Sequence, residues 1–347
     1  MPERWLDAGV GALRPEAFQV QSTREEFALL FGSPAEGGAK LERRILIPPI
    51  LAKRLARVLA DLARDPNATP AGTTASAAAD RDVPAAARPM LRKVRALGVG
   101  FGFEKSFKMS AGRVSGDRVI LGVPSALVAP AAFAKLCREL GMPKTHLPQF
   151  QARLPEANTV GFGFEGSARG GGSFKVYLEF WDRVRQRVQQ DPRNVAPVPL
   201  FVGYKWPAGS GKTSVAEYTC HPLLSIEAIS SRLQALYERD SPSGAAAREI
   251  MALAAARIRS DDSFVYVEAA EKGNPRRSFD VNFYKAGLRV ADVRPALSRL
   301  RARYAIDAGK FEPLLDECAA RPFGHLSGGL GRDGEDFLTV YYEIEGL

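Results

Sequence analysis

Three short segments bring side chains able to do chemistry into strand spacing: "SFKVYLEFW" (residues 173–181), "SFDVNFYKA" (278–286) and "DFLTVYYEI" (336–344). In the first, Lys175, Tyr177 and Glu179 alternate with Phe174, Val176, Leu178 and Phe180. Successive side chains on a strand point to opposite faces. A cation, a phenol and a carboxylate therefore share one face, and the other face is apolar. In the second, Asp280, Asn282 and Tyr284 alternate with Phe279, Val281 and Phe283, just after Arg276 and Arg277. Tyr342 belongs to the third. Such faces offer charged and neutral hydrogen-bonding groups at fixed places on rigid elements, which suits a polar binding chamber better than a packed core.

Other motifs carry less. "PAGSGKTS" (207–214) resembles the end of a phosphate-binding loop, but Trp206 stands where the first glycine is needed. Such a loop also opens a helix, whereas "SVAEYTCH" reads as a strand, so the segment is expected to be a hairpin turn. Cys220 and His221 are neighbours on that strand and point apart, which excludes a dyad. The three cysteines and three histidines (His146, His221, His325) show no zinc-ligand spacing, and no metal site is expected. An odd, scattered cysteine set fits a reducing compartment, and no signal-peptide or membrane-spanning pattern is read, so a cytoplasmic location is expected. A net charge of +9 favours an anionic partner, with a solvated basic surface as the plain alternative.

The elements that must position these residues repeat. Residues 1–65 read as a small strand–strand–helix domain, closed by an amphipathic helix carrying Leu51, Leu55, Val58, Leu59 and Leu62. Residues 66–88 are rich in Ala, Thr, Pro and Asp and read as a flexible linker. From residue 89 to 347 the chain writes five strand–turn–strand units separated by amphipathic helices. The expectation is an α+β fold: a ten-stranded antiparallel barrel of five αββα-type repeats ringed by helices. Closure removes sheet edges, and a barrel of that size holds a ligand cavity.

That plan resembles the ABBA-type (PT-barrel) aromatic prenyltransferases over about residues 95–347. "RRSFDVNFYKAGLRVADVRPALSRL" is similar to the basic cluster, "VNLYF"-type strand and following helix of the soluble bacterial members. "GGSFKVYLEFW" is similar to their "GGFKKTYAFF"-type strand. The first domain, with its "PxxAKRL"-type helix, resembles a small uncharacterised bacterial family of no known activity. The resemblance implies an enzyme of natural product biosynthesis that moves an allyl group from a prenyl diphosphate to an aromatic acceptor, a small molecule or a peptide side chain, inside the barrel. It implies Lys175, Asn282 and Tyr284 as diphosphate contacts, with Arg277 nearby. Ser278 departs from the pattern, standing close to the place of a family lysine. Tyr177, Tyr284 and Tyr342 would face the allyl cation, and Glu179 would remove the ring proton. Magnesium could accompany the diphosphate, although "SDDSF" (260–264) fails the DDxxD pattern of metal-clamped isoprenoid enzymes.

Each residue also has a plainer reading. Lys175 would pair with Glu179 or Asp280, and the tyrosines would be wall residues. The alternative function is a non-catalytic barrel that binds an anionic ligand or peptide. Nucleic-acid binding is weaker, because no compact basic run with interleaved aromatics occurs.

Overall fold

The computed structural model describes residues 83–343 apart from 168–170, 192–194, 209–212, 238–240, 259–263 and 272, and the backbone of three strands nearer the N-terminus. The chain divides into two compact units, residues 1–75 and 76–347. In the first, β1 (Ala17–Ser22), β2 (Phe27–Ala35) and β3 (Gly38–Ile47) form an antiparallel sheet in chain order. β1 and β2 pair as antiparallel neighbours, so the sheet has three strands where two were expected. The helix expected near residues 51–65 and most of the linker lie outside the described residues. The described end of the linker is packed: Val83 and Ala87 are buried in the second unit's core, and Arg88 opens a helix.

The second unit is a closed ten-stranded antiparallel barrel. Its strands are β4 (Gly102–Ser110), β5 (Arg113–Pro124), β6 (Thr159–Gly166), β7 (Gly172–Glu179), β8 (Val198–Pro207), β9 (Ser214–His221), β10 (Val265–Ala270), β11 (Arg277–Asn282), β12 (Phe323–Leu330) and β13 (Asp336–Glu343). The barrel closes through β13 on β4. Helix α1 (Arg88–Arg95) precedes β4, and α2 (Pro130–Glu139) and α3 (Leu147–Arg153) join β5 to β6. Helix α4 (Trp181–Gln190) joins β7 to β8, and α5 (Ile226–Leu236) and α6 (Pro242–Ala255) join β9 to β10. Helices α7 (Val290–Arg303) and α8 (Ala308–Cys318) join β11 to β12. All interstrand helices therefore leave from one end of the barrel, and the tight turns lie at the other. The supposed phosphate loop joins the antiparallel strands β8 and β9 and leads into a strand rather than a helix; its residues 209–212 lie outside the described residues. Among the described residues no helix is long and apolar enough to cross a membrane.

Helices α1 and α3 were not legible, being only 8 and 7 residues long, too short to show a clear apolar period. The remaining helices match amphipathic stretches. The α5 and α6 starts are fixed by Ser225 and Ser241, whose hydroxyls accept from the amides of Ala228 and Gly244 at 3.1 Å.

The barrel's outer face makes the core with the helices. Phe103, Phe107, Phe162, Val176, Phe279 and Tyr342 are all buried there. Each such side chain contributes about 1.5–3 kcal/mol of hydrophobic stabilisation. Trp206 donates its indole N–H to the Leu140 carbonyl at 2.9 Å, so the outer wall and the end of α2 are locked together. A smaller cluster joins Val184 on α4 to Val198, Cys220 and Val267. Cys220 and Val267 are register partners on the lumenal face. Helix α4 therefore packs against lumenal residues at the helix-bearing mouth.

Candidate functional site

Strand alternation carries a set of polar side chains into the lumen, where they sort into two groups along the barrel axis. Near the turns, Glu165 at the end of β6 meets three cations. The Arg118 guanidinium on β5 lies 2.5 Å from its Oε1, Lys175 on β7 pairs with the same oxygen, and Lys205 on β8 pairs with Oε2. Register explains the meeting: Arg118 stands opposite Glu165, and Lys175 stands opposite Lys205. Side-chain exposures of 12, 14, 15 and 28% for Arg118, Lys175, Glu165 and Lys205 show a group enclosed by the wall yet reachable by solvent. Burial opposes the charge on Glu165, but Arg118, Lys175 and Lys205 hold its carboxyl well below the usual range. Burial also pushes the Lys175 ammonium well below its ordinary value, with Lys205 and Arg118 repelling it and Glu165 only partly compensating. Lys108 on β4 belongs to the same field: burial and then Arg118 bring it down to about 8. Its ammonium sits 4.2 Å from the centre of the Phe337 ring. Three cations thus pair with Glu165 and a fourth, Lys108, stands in the same field with Asp333 acting on it from farther off, an excess of positive charge that a polyanion would satisfy.

Above this group the wall is aromatic. Tyr177 and Tyr218 meet edge to face at 5.9 Å, and Phe201 stands against Tyr218 at 6.0 Å. A Cβ on Gly203 would lie 2.8 Å from the Tyr177 ring, so glycine there is what lets the ring lie flat along β8. Arg276 lies over Tyr218, its carbon 5.6 Å from the ring centre, and pairs with buried Glu271. Arg332 reaches the same carboxylate at 2.5 Å. Burial resists that charge, but hydrogen bonds from Arg332 and Arg276 bring Glu271 down to about 2.

The second group lies toward the helix-bearing end. His325 on β12 places Nε2 3.0 Å from Glu104 on β4 and Nδ1 3.2 Å from Asp280 on β11. Tyr284 donates to Glu104, and Asn282 accepts from the Tyr284 amide at 3.1 Å. Burial disfavours the imidazolium, but Glu104 and Asp280 raise His325 well above its ordinary value. With a carboxylate against each ring nitrogen, both nitrogens are placed to donate, which favours the imidazolium. Glu179 belongs to this end: burial raises its carboxyl, and Glu104 adds repulsion. Tyr341 links the groups. It stacks on His325 at 4.6 Å with rings 9° from parallel, and it hydrogen-bonds Arg118.

The chain was compared with known proteins. Solved structures to which it is similar include three of prenyltransferases. They are the crystal structure of NotF prenyltransferase (13% identity, 70% of this chain, 80% of that one, TM-score 0.39), that of AnaPT from Neosartorya fischeri (12%, 71%, 79%, 0.44), and that of NotF in complex with brevianamide F and DMSPP (12%, 70%, 79%, 0.43). No family model and no curated protein matches the chain. At such identities the roles of individual residues rest on their own geometry.

That geometry sorts the sequence-derived residues. Lys175, Tyr177, Glu179 and Asn282 are on the lumenal side, as alternation requires; β11 ends at Asn282, and Tyr284 opens a short 3-10 turn from which its hydroxyl reaches Glu104. Lys175 pairs with neither Glu179 nor Asp280 but with Glu165. Asn282 and Tyr284 bond within the His325 group rather than beside Lys175. Two placements change. Arg277 is exposed on the outer face, and it is Arg276 that reaches Tyr218 and Glu271. Tyr342 is 1% exposed and packs outward against Phe107, while Tyr341 faces the lumen. The alignment of Phe337 with Phe174 and Phe279 caused that slip, since moving a strand by one residue flips every side chain. Leu338 and Val340 are the apolar pair that the helices demand, so Phe337 turns inward under Lys108. Arg118, Glu165, Lys205, Glu104 and His325 were not singled out from the sequence. Alternation in "VGFGFEG" and "FVGYKW" does place Glu165 and Lys205 opposite the apolar face.

Proposed function

We propose that the lumen is the reaction chamber of an enzyme that transfers an allyl group from a prenyl diphosphate to an aromatic acceptor. The observation that carries this is the surplus of cations, Arg118, Lys175, Lys205 and Lys108, around Glu165 in the lumen. A diphosphate ester of about two to three negative charges matches that surplus, and Arg and Lys are the side chains suited to hold it. The allylic C–O bond breaks, and its electron pair leaves with the diphosphate. Tyr177 and Tyr218 flank the path that the cation takes, each worth about 0.5–2 kcal/mol of cation–π attraction. The acceptor ring forms the new C–C bond and loses a proton. Glu179 takes it, its raised carboxyl being better matched to a base near neutral pH.

The test is calorimetric titration with dimethylallyl and geranyl diphosphates, followed by mass spectrometry of mixtures with indole and phenol acceptors. Binding with a mass gain of one prenyl group is the expected result. Binding without product from any acceptor favours the non-catalytic anion-binding barrel, and no binding of either diphosphate removes both readings.

A further inference from the structure

Glu165 poses a problem for any polyanion that enters the lumen. Its two oxygens engage Arg118, Lys175 and Lys205 at once. These are the donors that an incoming phosphate oxygen would need. The carboxylate therefore occupies, in the empty chamber, the place of the ligand's own oxygens. It stands at the turn-bearing end of β6, opposite Arg118 on one strand and Ser173 on the other, and moving it away would break all three of its charge-assisted contacts. Gly163, two residues earlier on the same face, gives it no side-chain neighbour along β6 to lean on.

We infer that Glu165 is an internal counter-anion that occupies the phosphate site and must be displaced by the ligand, so that it sets affinity and screens out small anions. The inference builds on the anion-site part of the reading above but not on prenyl transfer itself. In the empty chamber Glu165 keeps three buried cations from repelling one another. An anion with one or two charges gains too little to displace it, because each new contact is exchanged for one already made. A diphosphate brings enough charge to engage the lysines and arginine while Lys108, outside the Glu165 contacts, adds a fourth donor. Inorganic phosphate and carboxylic acids are thereby excluded without any steric filter. The device is discrimination by a competing internal ion.

The experiment compares the full chain with Glu165→Gln and Glu165→Asp by titration with inorganic pyrophosphate and with inorganic phosphate, alongside melting curves. The amide keeps the shape and removes the charge. The aspartate keeps the charge and withdraws it by one methylene. Glu165→Gln should bind pyrophosphate about tenfold or more tighter, because a like charge a few ångströms from the ligand is gone. It should also acquire phosphate binding that the unmodified chain lacks, and Glu165→Asp should fall between them. Glu165→Gln should melt lower without ligand and recover more on adding pyrophosphate. If Glu165→Gln is too unstable to titrate, tighter binding by Glu165→Asp alone supports the inference. Pyrophosphate affinity that is unchanged or weaker in either variant overturns it and makes Glu165 an organiser of the cations. If pyrophosphate and phosphate bind to none of the proteins, the anion site itself fails. Tighter pyrophosphate binding with no prenyl transfer leaves this inference standing and removes the proposed activity.

Discussion

Near the turns of the barrel, three cations pair with one carboxylate and a fourth stands in the same field; toward the helix-bearing end, one imidazole is shared by two carboxylates. The two groups face the same lumen and are joined through Tyr341. Their balance differs. In the His325 group the imidazole and both carboxylates are hydrogen-bonded to one another, with negative charge in slight excess, so it can hold itself together. In the Glu165 group positive charge is in excess; burial first, and then repulsion among the cations, depresses Lys175 and Lys108. The first arrangement suits a role in the fold, and the second suits an anionic ligand. On that ground the proposed diphosphate is placed at the turn-bearing end, and the proposed acceptor, with Glu179, at the other.

The largest effect expected from breaking this comparison is on stability, in the His325 group. His325→Gln removes the cation between Glu104 and Asp280 and leaves two carboxylates facing each other. It should destabilise the second unit by about 3 kcal/mol, the low end for breaking a buried pair, as read by chemical denaturation. Pyrophosphate affinity should hardly move. A loss of affinity equal to that of the lysine variant below would show that the two groups are one site.

Lys175→Ala should do the reverse. Pyrophosphate binding should weaken by roughly 1.5–3 kcal/mol, the scale of a charged hydrogen bond. Stability should change little, because Glu165 keeps Arg118 and Lys205. Titration beside a melting curve checks both, and a large fall in stability with unchanged affinity would make Lys175 a structural partner.

The two groups also respond differently to pH. Lys108 titrates at about 8 in the empty chamber, and Lys175 is depressed below its ordinary value. An anion stabilises their charged forms, so pyrophosphate affinity should fall as pH rises above about 8, by up to about 1.4 kcal/mol per pH unit for each proton involved. His325 is raised in the folded chain. Its contribution to stability is full below its unfolded value and is lost as pH rises through its folded value. Affinity measured from pH 7 to 9.5 tests the first, and denaturation midpoints across the same range test the second. A flat affinity profile would show that the lysines do not contact the anion.

The smallest effect is at Tyr284. Removing its hydroxyl (Tyr284→Phe) takes one donor from Glu104 and should cost about 0.5–1.5 kcal/mol of stability. Diphosphate affinity should be unchanged, contrary to what the family-like strand implies. A measurable loss of affinity would return Tyr284 to the ligand.

Much of this architecture is written locally. Period-two alternation of Phe, Val and Leu with Lys, Tyr, Glu, Asp and Asn makes strands with one apolar face, and five repeats of paired strands separated by amphipathic helices specify the closed barrel. The same alternation places Lys175, Tyr177, Glu179 and Asn282 inside, while Tyr284 reaches the lumen from a 3-10 turn after β11. It failed at "DFLTVYYEI", where two adjacent tyrosines compete for the lumen and only the helices' need for Leu338 and Val340 selects Tyr341. What no local pattern contains is which lumenal residues meet. His325 finds Glu104 across 221 positions of sequence, and Lys205 finds Glu165 across 40. Those meetings depend on the register of each strand against its neighbours and on the order in which the sheet closes. Register is a property of the whole ring, because a shift in one strand must be absorbed by all the others. The sequence by itself determined that the chamber would be polar and basic; only the closed tertiary structure decided that its charges would separate into a pair of carboxylates around an imidazole and an excess of cations around Glu165.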